Sequence, residues 1–257
     1  MDVQGYLRRI GYDGSLSPTA STLRDLHLAH LQSVPFENLD IHLGIPIVLD
    51  GDGLYDKIVR RRRGGFCYEQ NGLFSWLLQE LGFNVTLLSA RVVNDEGELG
   101  AEFAHLTLQV LCPADPSAPA RAWLADVGFG DSFTLPLPLD RLHEPQQDGL
   151  RAYRVEQENG IFFLWQRDYE GQWERQYCFT LEPRKLANFE PMCAYHQTPP
   201  QSRFTQRRVC TLATENGRVT LSEQRLITTE AGERRELPVD ECEYQGILAR
   251  RFGVKLE

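Results

Sequence analysis

Residues 63–93 read RGGFCYEQNGLFSWLLQELGFNVTLLSARVV, and the apolar spacing changes inside this stretch. That change decides the fold class. After Cys67, the side chains of Leu73, Trp76, Leu77 and Leu81 fall on one face of a helix, with Phe74 and Leu78 beside it. Gly82 then supplies a C-terminal cap. From about Asn84 the period drops to two, the mark of strands. A helical section gives way to a sheet, so the class is α+β.

Upstream, residues 1–84 read as helical. Ser17-Pro18 marks a helix start, Leu23, Leu26 and Leu31 give an apolar stripe, and Pro35 stops it. A short helix is expected over Leu54 to Arg61. Downstream, residues 85–190 carry a run of strands separated by turns, an antiparallel sheet or small barrel. RAYRVEQ and IFFLWQRD flank Asn159-Gly160, a strong hairpin signal, and QWERQYCFT extends the meander. The Pro-containing stretch FEPMCAYHQTPPQS crosses to a third section, residues 191–257. There RVCTLAT and RVTLSEQRLITT form a hairpin around Asn216-Gly217, and VDECEYQGILARRF closes the chain as a helix.

With 257 residues and 42% hydrophobic content, the chain can bury a substantial core. The N-terminus lacks the apolar stretch of a signal peptide, and no window is long enough to span a membrane. The expected location is therefore the cytoplasm. A formal net charge of −9 disfavours a nucleic-acid partner. The four arginines Arg60 to Arg63 are a local exception, read for most of them as a solvated cluster. The six cysteines, Cys67, Cys112, Cys178, Cys193, Cys210 and Cys242, form no CxxC pair, which argues against zinc. In a reducing compartment they stay as thiols.

Cys67 is the exception among these thiols. A cysteine opening a helix sits at the positive end of the helix dipole, which favours the thiolate. The nearby arginines push the same way. Gly64-Gly65 lets backbone N–H groups approach a reacting centre. Such a nucleophile needs a base with an orienting partner. His27 and His30 are expected to cover the surface of the first long helix; His42, His143 and His196 sit in loop-like contexts. His105 instead interrupts a regular strand. In FAHLTLQVL and RAWLADVGF, matching apolar faces puts Leu108 opposite Trp123 and Leu106 opposite Ala125 in an antiparallel pair. The same register places His105 opposite Asp126. The turn then centres on Asp115 and Pro116. A structural His–Asp pair on a half-exposed sheet would look the same.

Together these residues resemble the arylamine N-acetyltransferases. RGGFCYEQN is similar to the family's nucleophile motif, and AHLTLQV and LADVGFGD to its histidine and aspartate motifs, in the same order. VPFENLD at 34–40 and SRFTQRR at 202–208 resemble further motifs of the family. The resemblance covers nearly the whole chain. It implies a helical first domain, a β-barrel second domain and an α/β lid around a core shared with cysteine proteases and transglutaminases. It also implies a catalytic Cys67–His105–Asp126 triad working by ping-pong acetyl transfer. Acetyl-CoA is the implied co-substrate, arylamines or arylhydrazines are the acceptors, and no metal is involved. By the same resemblance Phe36, Phe129 and Phe204 line the acceptor pocket, the alternative being that each is ordinary core. Gly128 and Gly130, flanking Phe129, let the backbone approach coenzyme A or simply make the turn. Other enzymes on this core (transglutaminase-like acyltransferases, amide synthases, thiol hydrolases) use the same three residues, and an inactive binding module stays open as well. The oligomeric state is not addressed by the sequence.

Overall fold

The computed structural model describes residues 1–257 except 95, 115, 116, 169 and 257. Helix α1, Val3–Ile10, starts at Asp2, whose carboxylate accepts from Gln4 N and Gly5 N, and ends at Gly11. Helix α2, Ala20–Ser33, is capped by Thr19, two residues beyond the expected start. A short strand β1, Phe36–Glu37, leads to α3, Leu39–Leu43. Next come α4, Gly51–Tyr55, and a wider helical turn over Asp56–Arg60, together forming the short helix expected there. Helix α5, Cys67–Glu80, ends where Gly82 takes φ 88°.

Eight antiparallel strands follow: β2 Asn84–Val92, β3 His105–Pro113, β4 Ala120–Ala125, β5 Leu137–Pro138, β6 Gln146–Asp148, β7 Arg151–Glu158, β8 Ile161–Arg167 and β9 Trp173–Phe179. Their order across the sheet is β5-β4-β3-β2-β9-β8-β7-β6, and β5 also touches β7, so the sheet curls into a nearly closed barrel. Strand β2 shows the division of labour. Leu88 and Ala90 enter the barrel core with Leu124, Tyr153, Leu164 and Phe179. Val85 and Leu87 face outward, where Leu106, Leu108 and Val110 of β3 meet α5 and the N-terminal helices.

Helices α6, Glu190–Gln197, and α7, Arg203–Gln206, cross to a second sheet. It contains β10 Val209–Thr214, β11 Gly217–Ser222, β12 Arg225–Glu230 and β13 Glu233–Pro238, with α8, Glu241–Ile247, packed against it. The expected single strand RVTLSEQRLITT is two strands, broken where Glu223 takes φ 48°. Strand β13, with all six residues exposed, carries no apolar alternation to reveal it. Strand β1 pairs with β10, so the VPFENLD segment forms the edge of the C-terminal sheet.

The register between β3 and β4 differs from expectation by two residues. Leu108 faces Ala125 and Val110 faces Trp123. A shift of two preserves which face each side chain occupies, so apolar matching cannot detect it. Asp126 therefore stands just past the end of β4, not opposite His105 in the ladder. The expected turn centre, Asp115 and Pro116, lies outside the described residues.

Candidate active site

Two close approaches build the turn before α5. A Cβ on Gly64 would lie 1.8 Å from Pro35 O, and one on Gly65 would lie 2.8 Å from Glu69 Cβ. The glycines thus admit neighbouring protein, not the reacting centre expected from the sequence. Glu69 reaches back to accept from Phe66 N at 3.0 Å, one half of a capping box. Gln70 donates to Gly65 O at 2.7 Å and Pro35 O at 3.3 Å.

Beneath this turn lies a buried ionic network. Lys57 Nζ is 2.7 Å from both Asp40 and Glu69. Arg63 Nη2 is 2.8 Å from Glu37 and 2.7 Å from Asp40. Arg63 is thus the inward member of the arginine run, while Arg60 and Arg61 are exposed. Burial works against the Lys57 ammonium, but the surrounding carboxylates hold its pKa above the usual lysine value. Removing one partner of such a network strands the others. Arg63→Met is expected to cost about 3–5 kcal/mol, read as a fall in the urea midpoint; an unchanged midpoint would contradict the assignment.

His27 and His30, expected on the surface, are fully buried. His30 Nδ1 accepts from Tyr6 OH at 2.8 Å, and Nε2 lies 2.9 Å from Gln70 Oε1, a carbonyl oxygen that can only accept. Burial pushes the His30 pKa down to about 3, which keeps the ring neutral. His27 accepts from Asp126 N at 3.0 Å, donates to Thr134 O at 2.8 Å, and stacks on Phe133 at 5.7 Å. Burial lowers its pKa too. The unfolded chain protonates these imidazoles below about pH 6.5 while the folded chain resists, so U binds more protons and stability is lost as the pH falls. Between pH 7 and pH 5 His30 alone is expected to remove about 2 kcal/mol. Urea midpoints equal at the two pH values would contradict this.

His105 Nε2 lies 2.6 Å from Asp126 Oδ2, which also accepts from Tyr177 OH at 2.9 Å. Asp126 Oδ1 accepts from Asn71 Nδ2 at 2.8 Å and Gly128 N at 3.0 Å. Burial raises the Asp126 pKa, but His105 and these donors outweigh it and hold the carboxyl below its ordinary value. Asn71, one turn beyond Cys67, also donates to Leu106 O at 2.7 Å and accepts from Val127 N at 2.9 Å. It joins α5 to β3 and to the segment after β4.

Cys67 and His105 line one cavity of about 620 Å³, and Phe36, Phe129, Phe204 and Gly128 line it with them. Phe129 meets the His105 ring edge-on at 5.1 Å. A Cβ on Gly128 would lie 2.8 Å from Cys67 Cα, and one on Gly130 would lie 3.3 Å from the Phe36 ring. Both glycines thus let the segment after β4 pack against the cavity wall. A larger groove of about 900 Å³ runs over β11–β13 and shares no lining residue with this cavity.

Burial pushes the Cys67 thiol well up; the backbone N–H groups of Leu106 and Tyr68 oppose this, and Asp126 reinforces it. Burial thus works against the thiolate, and the arginines do not offset it. The arginines are exposed or, at Arg63, engaged with Glu37 and Asp40.

Asn71, Tyr177, His27 and His196 escaped the sequence reading. His196 also lines the cavity, with Met192 and Tyr195, at i, i+3 and i+4 along α6. That spacing was a usable signal, masked by Pro191 and the Pro199-Pro200 pair.

Residues 19–257 match a family model described as N-acetyltransferase. Arylamine N-acetyltransferase of Mycolicibacterium smegmatis is 38% identical over 262 residues, covering 100% of this chain and 93% of that one. The chain belongs to the arylamine N-acetyltransferase family. Arylamine N-acetyltransferase 1 of Homo sapiens is 34% identical over 236 residues, 84% of this chain and 79% of that one. Among solved structures, the arylamine N-acetyltransferase of Mycobacterium marinum in complex with CoA has a TM-score of 0.89 at 33% identity, covering 98% of this chain and 93% of that chain. In this arylamine N-acetyltransferase the VPFENLD segment ties the sections together: Asn38 donates to Phe204 O and Arg207 O and accepts from Val209 N, each at 2.8 Å.

Among the described residues no group of three His, Cys, Asp or Glu side chains could hold a metal ion. No helix among them is long and apolar enough to cross a membrane.

Proposed function

We propose that the chain transfers an acetyl group from acetyl-CoA to the nitrogen of arylamines and arylhydrazines through an acetyl-Cys67 intermediate. The observation that carries this reading is the His105–Asp126 pair at 2.6 Å in the same cavity as a helix-opening cysteine. Cys67 is held as thiolate by His105, which Asp126 orients. His105 spends Nε2 on Asp126, which leaves Nδ1 for the thiol. Cys67 adds to the thioester carbonyl, with its own backbone N–H as one oxyanion donor, and coenzyme A leaves. The acceptor nitrogen then attacks the acetyl-cysteine, and His105 relays the amine proton.

A cavity walled by Phe36, Phe129 and Phe204 suits a flat aryl group. Its apolar lining, which includes Gly128, also fits a pantetheine arm. We assign residues 1–84 to carrying the nucleophile, 85–190 to carrying the base and its orienter, and 191–257 to the lid. We place the protein in the cytoplasm, since all six cysteines are unpaired.

The test is CoA release from acetyl-CoA, with and without 5-aminosalicylate. Release limited to about one CoA per enzyme without the amine, and continuous with it, supports the reading; continuous release independent of the amine points to a thiol hydrolase and overturns it.

A further inference from the structure

The cavity holds a second imidazole that the steps above do not use. His196 is half-buried on the α6 wall, in the same cavity as Cys67 and His105. Its ring is held from several sides: stacked on Tyr68 at 6.0 Å, and edge-on to Phe204 at 5.1 Å and to Tyr195 at 5.8 Å. Tyr68 is itself anchored, donating to Phe103 O at 2.7 Å. The main chain is pinned as well, because Ser202 Oγ donates to His196 O at 2.9 Å.

The network sets the tautomer. His196 Nε2 lies 3.3 Å from Ala104 O, the carbonyl just before His105. A carbonyl can only accept, so Nε2 carries the proton and Nδ1 keeps a bare lone pair. Burial pushes the His196 pKa down, and nearby His105 adds to this, so the ring is neutral at neutral pH. No described residue donates to Nδ1. A neutral imidazole, fixed in place with one unused acceptor, thus belongs to a wall otherwise built largely of apolar and aromatic side chains.

We propose that His196 recognises the acceptor: its Nδ1 accepts a hydrogen bond from an N–H adjacent to the attacking nitrogen, which favours arylhydrazines and hydrazides over simple arylamines. This rests on the acetyl-cysteine reading above. The acceptor's terminal nitrogen attacks the acetyl carbon, the C–N bond forms and the C–S bond breaks. The proton lost by that nitrogen passes through His105 to the Cys67 sulfur. His196 takes no proton; it holds the neighbouring N–H and so aims the terminal nitrogen.

The test compares phenylhydrazine with 1-methyl-1-phenylhydrazine, which keeps the same attacking NH₂ but replaces the adjacent N–H by N–CH₃. Acetyl-enzyme is formed first, freed of acetyl-CoA, and its decay with each acceptor is followed by intact-protein mass. Only folded, acetylated molecules are counted. The wild type is expected to prefer phenylhydrazine, and His196→Leu to lose roughly threefold to tenfold of that preference, the worth of one neutral hydrogen bond. His196→Phe, which keeps the ring without the acceptor, should behave the same and covers a leucine variant that fails to fold. An unchanged preference in an acetylated variant overturns the proposal. If the wild type forms no acetyl-enzyme, the acetyl-cysteine reading itself fails.

Discussion

Cys67→Ser is expected to leave less than about one thousandth of the wild-type acetyl transfer. The reason lies in the surroundings of the sulfur. Cys67 is fully buried beside the Asp126 carboxylate, and burial already pushes its thiol up. A serine hydroxyl starts far less acidic than a thiol, so the same environment makes its alkoxide much harder to form. His105 can accept a proton from either, but the driving force for transfer from serine is far smaller. The fold should tolerate the change: serine is nearly isosteric, and its hydroxyl can accept from the Leu106 and Tyr68 backbone N–H groups as the sulfur does. The unfolding midpoint of Cys67→Ser is expected to stay within about 0.5 kcal/mol of wild type. Substantial residual transfer by a folded variant would contradict the nucleophile assignment.

Asp126→Asn is expected to reduce turnover about ten-thousandfold, the size found when the orienting aspartate of a Ser-His-Asp triad is changed in this way. Four donors converge on this carboxylate: His105, Tyr177, Asn71 and Gly128 N. An amide can accept at only one of its two positions. Its NH₂ therefore faces a donor or forces His105 into the other tautomer, which turns a protonated Nδ1 toward the thiol. The donor mismatch should also lower stability by about 1–3 kcal/mol. Activity and unfolding are measured on the same preparation. A folded Asp126→Asn enzyme that keeps a tenth of its turnover would remove Asp126 from the mechanism.

Much of this arrangement was legible because local rules and tertiary structure agree. Helix α5 follows its apolar stripe, and the hairpin between β7 and β8 turns where Asn159 and Gly160 take φ 51° and 82°. The β3–β4 pairing was legible only to within two residues, since alternation records faces and not register. His105 and Asp126 still meet, because a carboxylate just past the strand end can reach the imidazole from either alignment.

What stayed hidden depends on contacts distant in sequence. His27 and His30 look like surface residues until their partners appear, and those of His27 lie about a hundred residues away at Asp126 and Thr134. Nothing in the sequence brings the charges of Glu37, Asp40, Lys57, Arg63 and Glu69 together. They are buried because they satisfy one another. Likewise, proximity to arginines in sequence did not place their charge beside the sulfur.

The central claim is that Cys67 carries the acetyl group between donor and acceptor. Intact-protein mass after brief exposure to acetyl-CoA, followed by peptide mapping, tests it most directly. The account predicts one added acetyl group, located on Cys67, absent from Cys67→Ser and discharged by 5-aminosalicylate. Acetylation elsewhere, or amine-dependent turnover with Cys67 never acetylated, would contradict it.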